Sequence, residues 1–292
     1  MTAPANTPAL GYRARALRQA RGLRLAFVVA SVLLGIHLFV ALTGPLWAPY
    51  GPDKLVARPF LPPSTEHLFG TDHLGRDVLS RLVHGERIVL ALSLSAATLA
   101  VVFGSLLGIV LGYLRNAIDD IGMRIIEILL SIPPVILALL ILGALGSSYP
   151  LLVATVAFFF IPRVATVIRA ATLAVVTEDF VTVARLRGES ALSIAWRELL
   201  PNVAPAVSVE FSLRTGYAVI FIGGLSFLGF GAAPPAPEWG LMINEGRGSI
   251  TGSPWAVLGP SLALASLVVA LSLFTEGLGA ILGRSTARER PT

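Results

Sequence analysis

The chain has 292 residues, of which 55% are hydrophobic and only 13% are charged, and its mean hydropathy is +0.79. Soluble domains carry about 25% charged residues, so this composition excludes a soluble enzyme, a disordered tail and a collagen-like fibre. The absence of cysteine excludes disulfides and thiolate metal sites. We attribute the net charge of +5 to loop arginines that set membrane topology, not to nucleic-acid binding.

Six apolar stretches are each long enough to cross about 30 Å of hydrocarbon as a helix. They cover residues 25–46, 88–114, 121–145, 151–170, 206–230 and 256–282. The sequence therefore predicts an all-α integral membrane protein with six transmembrane helices. The last five spans form a core that covers residues 88–283. We expect an N-terminal tail at 1–24, a loop with a short interfacial helix at 47–87, and a C-terminal tail at 284–292.

The basic residues are unequally divided between the two sides of this predicted bundle. On one side, thirteen basic residues lie in the two tails, in the loop after the second span, and in or beside the loop after the fourth span. The loops of the other side contain five basic residues. Because cytoplasmic loops carry the excess of Lys and Arg, both termini are predicted to be cytoplasmic. Trp47, Trp239 and Trp255 fall near the outer ends of spans, where tryptophans commonly anchor helices at the membrane interface.

Several kinds of chemistry are excluded or disfavoured. A phosphate-binding P-loop needs Gly-Lys followed by Ser or Thr, but the only lysine is Lys54 in Gly-Pro-Asp-Lys-Leu, so an ATP-driven activity needs a partner. We predict no catalytic residue, since the only histidine within a span is His37, which is expected to be a packed or lipid-facing residue. We also predict no metal site, because one loop cluster has no standard ligand spacing: His67, Asp72, His73, Asp77 and His84.

The loop 177–201 between the fourth and fifth spans has the signals of ordered structure. Thr177 is a suitable helix N-cap, Gly188 suits a left-handed helix end, and a second helix is expected to start at Ser190 and stop near Pro201. Small residues at positions 184 and 188 would let another surface approach closely, with Phe180 supplying apolar contact. The pattern predicts either a helix that docks into a soluble partner or one that rests on lipid headgroups.

This loop resembles the EAA loop of ABC-importer permeases, in which Glu-Ala-Ala precedes a Gly and a later Ile-x-Leu-Pro. Ala184, Gly188, Leu200 and Pro201 match that pattern, whereas Thr182, Val183 and Glu198 depart from it. Two further segments are similar to the C-type permeases of dipeptide, oligopeptide and nickel importers. One is Gly-Thr-Asp-x-x-Gly-Arg-Asp at Gly70, Thr71, Asp72, Gly75, Arg76 and Asp77, and the other covers 225–240. The resemblance spans about residues 65–283, and the run 274–279 departs from it.

The resemblance implies a type I ABC-importer permease of the bacterial cytoplasmic membrane, with no bond chemistry of its own. Such a chain pairs with a second, homologous permease, two cytoplasmic ATPase subunits and an extracytoplasmic solute-binding protein. The ATPases would bind ATP and Mg²⁺, and this chain would bind no cofactor. Coupling to the ATPases would involve Thr182, Val183, Ala184, Arg187, Gly188, Glu189, Leu200 and Pro201. The implied solutes are di- or oligopeptides, with nickel or another small solute as the alternative.

Charged residues within the spans suggest a polar route. Glu210 and Arg214 lie four apart in the fifth span, so they either line a translocation path, together with Ser226 and Phe227, or form a structural pair. Arg124–Glu127 and Glu276 are expected to be structural, and Arg163 lies within the fourth span. A self-contained secondary transporter is the rival interpretation, but it should show an internal repeat and broken helices in paired positions, neither of which the sequence shows clearly. A membrane hydrolase lacks its Ser–His constellation.

Overall fold

The computed structural model describes the backbone of residues 8–288 and the side chains of residues 25–282. The tail arginines used for the topology prediction lie outside these described side chains. Within this range the predicted all-helical architecture is confirmed, with ten α-helices: α1 Pro8–Trp47, α2 Val78–Leu114, α3 Ala117–Ser131, α4 Pro134–Leu145, α5 Tyr149–Val175, α6 Asp179–Leu186, α7 Ala191–Ile194, α8 Leu200–Phe227, α9 Trp239–Gly246 and α10 Trp255–Arg288. A π-helical turn, Ala195–Leu199, joins α7 to α8.

Among the described residues, five helices are long and apolar enough to cross a membrane, and a sixth candidate is broken. The predicted third span is in fact α3 and α4, which meet at an angle of 82° around Ile132 and Pro133. Two helices of 15 and 12 residues joined at that angle reach about 30 Å end to end, at 1.5 Å per residue, which equals the hydrocarbon thickness. The bent pair can therefore make one crossing.

The core of the bundle is the contact between α2 and α5. Gly104, Gly108 and Gly112 recur every fourth residue of α2 and face α5. A Cβ at Gly108 would lie 2.7 Å from the carbonyl oxygen of Ala165, so only glycine lets the two helices come this close. Small residues at four-residue spacing are typical of helix pairs in membranes, where close van der Waals packing provides much of the attraction. α1 packs on α10 at one side of this core, through stacked rings of Phe27 and Phe274.

Two predicted helix boundaries are wrong. The expected short interfacial helix before residue 88 does not exist separately, because α2 starts at Val78 and continues without interruption. The expected stop at Pro201 is also absent, since Ala191 to Phe227 forms one helical run. In the π-helical turn the Leu200 N–H bonds to the Ala195 carbonyl five residues earlier, which places Pro201 in the first turn of α8, where proline is tolerated.

Candidate functional site

The segment between α5 and α8 is built from two short, well-defined helices. α6 starts at Asp179 with Glu178 at its N-cap, so the predicted cap at Thr177 is wrong; the Thr177 hydroxyl instead donates to the Ala174 carbonyl at the end of α5 (3.2 Å). The predicted end at Gly188 is confirmed. Gly188 has φ +76° and its N–H bonds to the Arg185 carbonyl (3.0 Å), a left-handed closure that glycine adopts without strain.

One face of this helix pair is buried against the spans. Val181, Ala184, Ile194 and Leu199 are all fully buried and pack in one cluster with residues of α5 and α8. α7 begins at Ala191, next to the predicted start at Ser190, and the Ser190 hydroxyl caps it by accepting the Ser193 N–H (3.2 Å). Ala184 thus faces the chain's own core, and the prediction that it admits a second surface is wrong. Its small side chain lets α6 pack closely on its own chain.

The opposite face is apolar and exposed. Leu186 is 83% exposed, and four other apolar side chains on this side are 39–69% exposed. We call this surface the α6–α7 face, formed by Phe180, Val183, Leu186, Leu192 and Trp196. The ion pair between Arg187 and Glu189 (2.9 Å) lies between its two helices. Five large apolar side chains on a short, rigid segment mark an interaction surface.

The α6–α7 face is mechanically joined to the spans. α7 continues through the π-helical turn into α8, giving one run of 37 residues from Ala191 to Phe227. The Arg185 guanidinium lies over the Tyr113 ring at 4.9 Å, which ties α6 to the end of α2. Because these connections are a continuous helix and buried packing, a displacement of the face would move α8 with it.

The Gly-Thr-Asp-x-x-Gly-Arg-Asp signature folds into a tight loop on the other side of the bundle. Gly70 and Gly75 have φ values of +68° and +80° and lie directly against the backbone of residues 57–62, where a Cβ would collide. The Thr71 hydroxyl accepts the Leu61 N–H (2.8 Å) and donates to the Arg58 carbonyl (2.7 Å). These three residues therefore fix the path of the preceding loop.

The charged residues of the signature form a buried network, which we call the Asp72 network: Asp72, Arg76, Arg81 and Glu245. Arg76 and Arg81 both contact Asp72 Oδ2, at 2.6 and 2.7 Å, and both contact Glu245 Oε2, at 2.9 and 2.7 Å. Both arginine side chains are at most 2% exposed. Burial alone would raise the pKa of Asp72, but the N–H groups of Arg76 and Leu74 and the two guanidiniums hold it below its usual value. The network joins the signature loop to α9.

The remaining acid of the signature begins α2. The Asp77 carboxylate accepts the Ser80 N–H (2.8 Å) and lies 2.9 Å from His67 Nδ1. His67 and His84 thus have protein partners, since His84 Nδ1 lies 2.8 Å from the Ser80 carbonyl. One group with metal-like spacing does exist, formed by Asp72, His73 and Glu245. Its two carboxylates are already engaged by both guanidiniums, so a cation there would have to displace them.

α9 was not predicted, although its N-cap is readable in the sequence. The Glu238 carboxylate is fully buried and accepts the N–H groups of Gly240 (3.0 Å) and Leu241 (2.9 Å). Burial raises the pKa of Glu238 above its usual value despite these hydrogen bonds. Trp239 is fully buried and its Nε1–H donates to the Leu82 carbonyl (2.9 Å). The prediction that Trp239 is an interface anchor is therefore wrong, because its ring packs between α2 and α10.

The four residues predicted to line the translocation path occupy three different environments. Glu210 and Arg214 are buried and bonded to each other at 2.8 Å, with the guanidinium over the rings of Phe160 and Tyr217. Ser226 is fully buried, so a solute could not touch it in this conformation. Phe227 is 36% exposed at the end of α8.

Sequence reasoning missed two further polar pairs among the described side chains of the bundle. His37 Nδ1 lies 2.9 Å from Glu86 Oε1, and both side chains are buried, so His37 is a packed residue. Asp119 accepts two hydrogen bonds from Arg169, both of 2.6 Å. These pairs link α1 to α2 and α3 to α5, and no sequence spacing points to partners 49 or 50 residues apart. The pair of Arg124 and Glu127 that the sequence suggested is present at 3.1 Å.

Comparison with known proteins identifies the family. A family model described as "Binding-protein-dependent transport system inner membrane component" matches residues 104–288, from the middle of α2 to the end of α10. The glutathione transport system permease protein GsiD of Pectobacterium atrosepticum is 38% identical over 216 residues, covering 74% of this chain and 72% of that protein. The chain belongs to this family of transport components.

Two more relatives cover most of the chain. A putative peptide transport system permease protein of Brucella suis is 34% identical over 261 residues, or 89% of this chain and 88% of the relative. The di/tripeptide transport system permease protein DppC of Pseudomonas aeruginosa is 36% identical over 249 residues, or 82% of each chain. The family consists of permease subunits of ABC importers, which act with ATPases and binding proteins and are not enzymes themselves. The chain is accordingly a multi-pass protein of the inner membrane.

Proposed function

We propose that this chain forms half of the translocation pathway of an ATP-driven importer for di- and oligopeptides. The relatives named for peptides, di/tripeptides and glutathione support this solute class. A second, homologous permease supplies the other half, a solute-binding protein delivers the peptide, and two ATPase subunits bind ATP and Mg²⁺. This chain takes no cofactor and binds no nucleic acid. It crosses the membrane six times, with α3 and α4 as one crossing and both termini in the cytoplasm.

The observation that carries this proposal is the α6–α7 face. It combines strongly exposed apolar side chains with a fully buried base, which is the arrangement expected of a helix that docks into a groove of a soluble protein. In this assignment Thr182, Val183 and Arg187 contact the ATPase. Ala184, Leu200 and Pro201 position the two short helices from the side that packs on the spans. Gly188 and Glu189 form the corner between α6 and α7.

Transport follows from coupling the face to α8. ATP binding closes the two ATPases, and each docked helix pair moves with its ATPase. The movement reaches α8 through the unbroken helix that starts at Ala191. The permease pair then opens toward the binding protein, and hydrolysis resets it toward the cytoplasm. The chain performs no bond chemistry in this cycle.

A movement of α8 would change the surroundings of the Glu210–Arg214 pair. Both residues belong to α8, and Arg214 also contacts the ring of Phe160 on α5. A sliding of α8 against α5 would expose this pair toward the pathway, with Phe227 at the far end of the same helix. We therefore assign these residues to the path in the open states of the cycle.

The test is to purify the tagged chain from its native host in mild detergent and to identify the proteins that accompany it. Two ATPase copies and a second permease are expected. The complex, reconstituted with its binding protein, should take up radiolabelled Ala-Ala only with ATP. A chain that purifies alone and moves peptide without ATP would contradict the proposal and favour a secondary transporter.

A further inference from the structure

Arg163 is a cation near the middle of α5, one of the candidate membrane spans. It lies 14 residues after the start of α5 at Tyr149 and 12 before its end at Val175. At 1.5 Å per residue the two helix ends are roughly 21 and 18 Å away, which is farther than an arginine side chain can reach. Its side chain is exposed on the surface of the chain. Within the span predicted at 151–170, Arg163 lies seven residues, or about 10 Å, inside the nearer end, so its charge lies within the apolar part of the helix.

Arg163 has no ion-pair partner among the side chains of residues 25–282. The cations at 124, 169 and 214 are each paired with an acid of the same chain. Among the side chains that the structure describes, none places a carboxylate within ion-pairing distance of Arg163. An unpaired charge facing lipid at this depth is costly, and such residues normally face a water-filled cavity or an anion.

The break between α3 and α4 lies beside Arg163. Ile132 and Pro134 at the break line the same crevice as Arg163, together with Phe158 and Pro162 of α5. Ser131, which ends α3, is exposed at the break. Irregular backbone at membrane depth is tolerated only where protein buries it or where it lines a water-filled cavity. The exposed break and the exposed cation thus lie on the same side of the chain, which has to be covered by protein or to face a water-filled cavity.

We propose that Arg163 lines the translocation path and pairs with a carboxylate of the passing solute. This inference rests on the proposed function, because it specifies what the path recognises. A peptide with a free C-terminus carries a carboxylate whatever its side chains are, so one cation serves a mixed set of peptides. Glu210 and Arg214 are unsuited to this role while their charges satisfy each other at 2.8 Å.

The first test compares two probes on one reconstituted complex that includes the binding protein. Uptake of Ala-Ala and of its C-terminal amide is measured for the wild type, Arg163→Lys and Arg163→Glu. The ratio of Ala-Ala to amide uptake should fall at least tenfold in Arg163→Glu and change less than threefold in Arg163→Lys. Since the binding protein is the same throughout, its own preference cancels from the comparison. An unchanged ratio would overturn the proposal.

The second test needs no transported probe. The chain has no cysteine, so Arg163→Cys supplies its single thiol. In the intact complex this thiol should react with a membrane-impermeant, charged methanethiosulfonate, whereas Ile36→Cys, exposed near the middle of the first span, should not. A thiol at 163 that stays unreactive with and without ATP would overturn the proposal.

Two other results have defined meanings. If Arg163→Gln lost the second permease during purification while Arg124→Gln kept it, Arg163 would pair with the partner permease, and the proposal would be wrong. Failure of the wild-type complex to import any peptide with ATP would refute the proposed function. In that case the thiol labelling would still decide whether Arg163 faces water.

Discussion

The α6–α7 face and the Asp72 network lie at opposite ends of the bundle, and their residues point in opposite directions. In the α6–α7 face, large apolar side chains are directed outward, and Leu186 is 83% exposed. In the Asp72 network, charged side chains are directed inward, and Arg81 is 1% exposed. Each region therefore reverses the usual arrangement of apolar interior and charged surface.

The difference shows that the two segments that resemble permease motifs play different physical roles in this chain. The chain itself leaves the α6–α7 face uncovered, and in the proposed function an ATPase subunit covers it. In the Asp72 network each charged group has an oppositely charged partner within the chain. Substitutions in the network should therefore impair folding, whereas substitutions in the face should impair assembly.

The largest expected effect is that of Arg81→Met. It leaves Asp72 and Glu245 with one guanidinium fewer and removes the donor to the carbonyls of Pro235 and Ala236. Breaking a buried charge network from one side costs about 3–5 kcal/mol. Thermal unfolding in detergent should show a large loss of stability. The control Arg58→Met, an exposed arginine of the same loop, should unfold like the wild type.

Leu186→Glu should have the next largest effect. It should weaken assembly with the ATPase subunits without changing the stability of the chain. It places a charge at the most exposed position of the α6–α7 face without disturbing the buried cluster beneath. We expect at least a tenfold loss of co-purified ATPase, which is about 1.4 kcal/mol of binding free energy or more. The unfolding temperature should not change. If the variant lost stability but still bound the ATPase fully, the α6–α7 face would serve folding and not assembly, which would contradict the assignment.

Gly188→Arg should act on the same surface more weakly. A side chain at this position meets nothing within 4 Å, so the substitution adds a charge at the corner and strains a φ of +76° by about 1 kcal/mol. ATPase association should fall several-fold. Gly188→Asn is the matched control, because asparagine adopts left-handed backbone more readily than other residues with side chains. If both variants bound ATPase equally poorly, any side chain at this corner would explain the loss, and the added charge would not.

Glu238→Gln should give the smallest effect, a change in the pH dependence of stability. The folded-state pKa of Glu238 is raised, so its contribution to stability is present below about pH 4.3, its unfolded value, and is lost as the pH rises through the folded pKa. Glutamine stays neutral. In thermal unfolding the wild type should lose stability as the pH rises from the unfolded value, whereas the variant should show a flatter pH profile. Parallel pH profiles would show that the pKa of Glu238 is not raised by folding.

The sequence was sufficient for the features that depend on local pattern. Apolar length predicted the long helices, and the end of α6 at Gly188 followed from glycine's access to left-handed backbone. The break near Ile132 was missed even though Pro133 and Pro134 signal it, because the apolar content is continuous across it. The stop predicted at Pro201 was wrong because a π-helical turn shifts the hydrogen-bond register before the proline.

Features that depend on distant partners could not be read from spacing. Glu245 completes the Asp72 network from 164 residues beyond Arg81. The signature predicted the importance of Asp72 and Arg76 but not that they act inside the chain. Ala184 was misassigned for the same reason, since a small residue allows close packing but its pattern does not say which surface approaches.

The most direct test of the account is a thiol cross-link from the α6–α7 face to the ATPase. Because the chain has no cysteine, Leu186→Cys in the native complex provides one exposed thiol, and Ala184→Cys provides a buried one two residues away. A short thiol-to-amine cross-linker should join position 186, but not 184, to an ATPase subunit. If position 186 cross-linked only to lipid or to the second permease, with no ATPase product, the α6–α7 face would not be the docking surface for the ATPase.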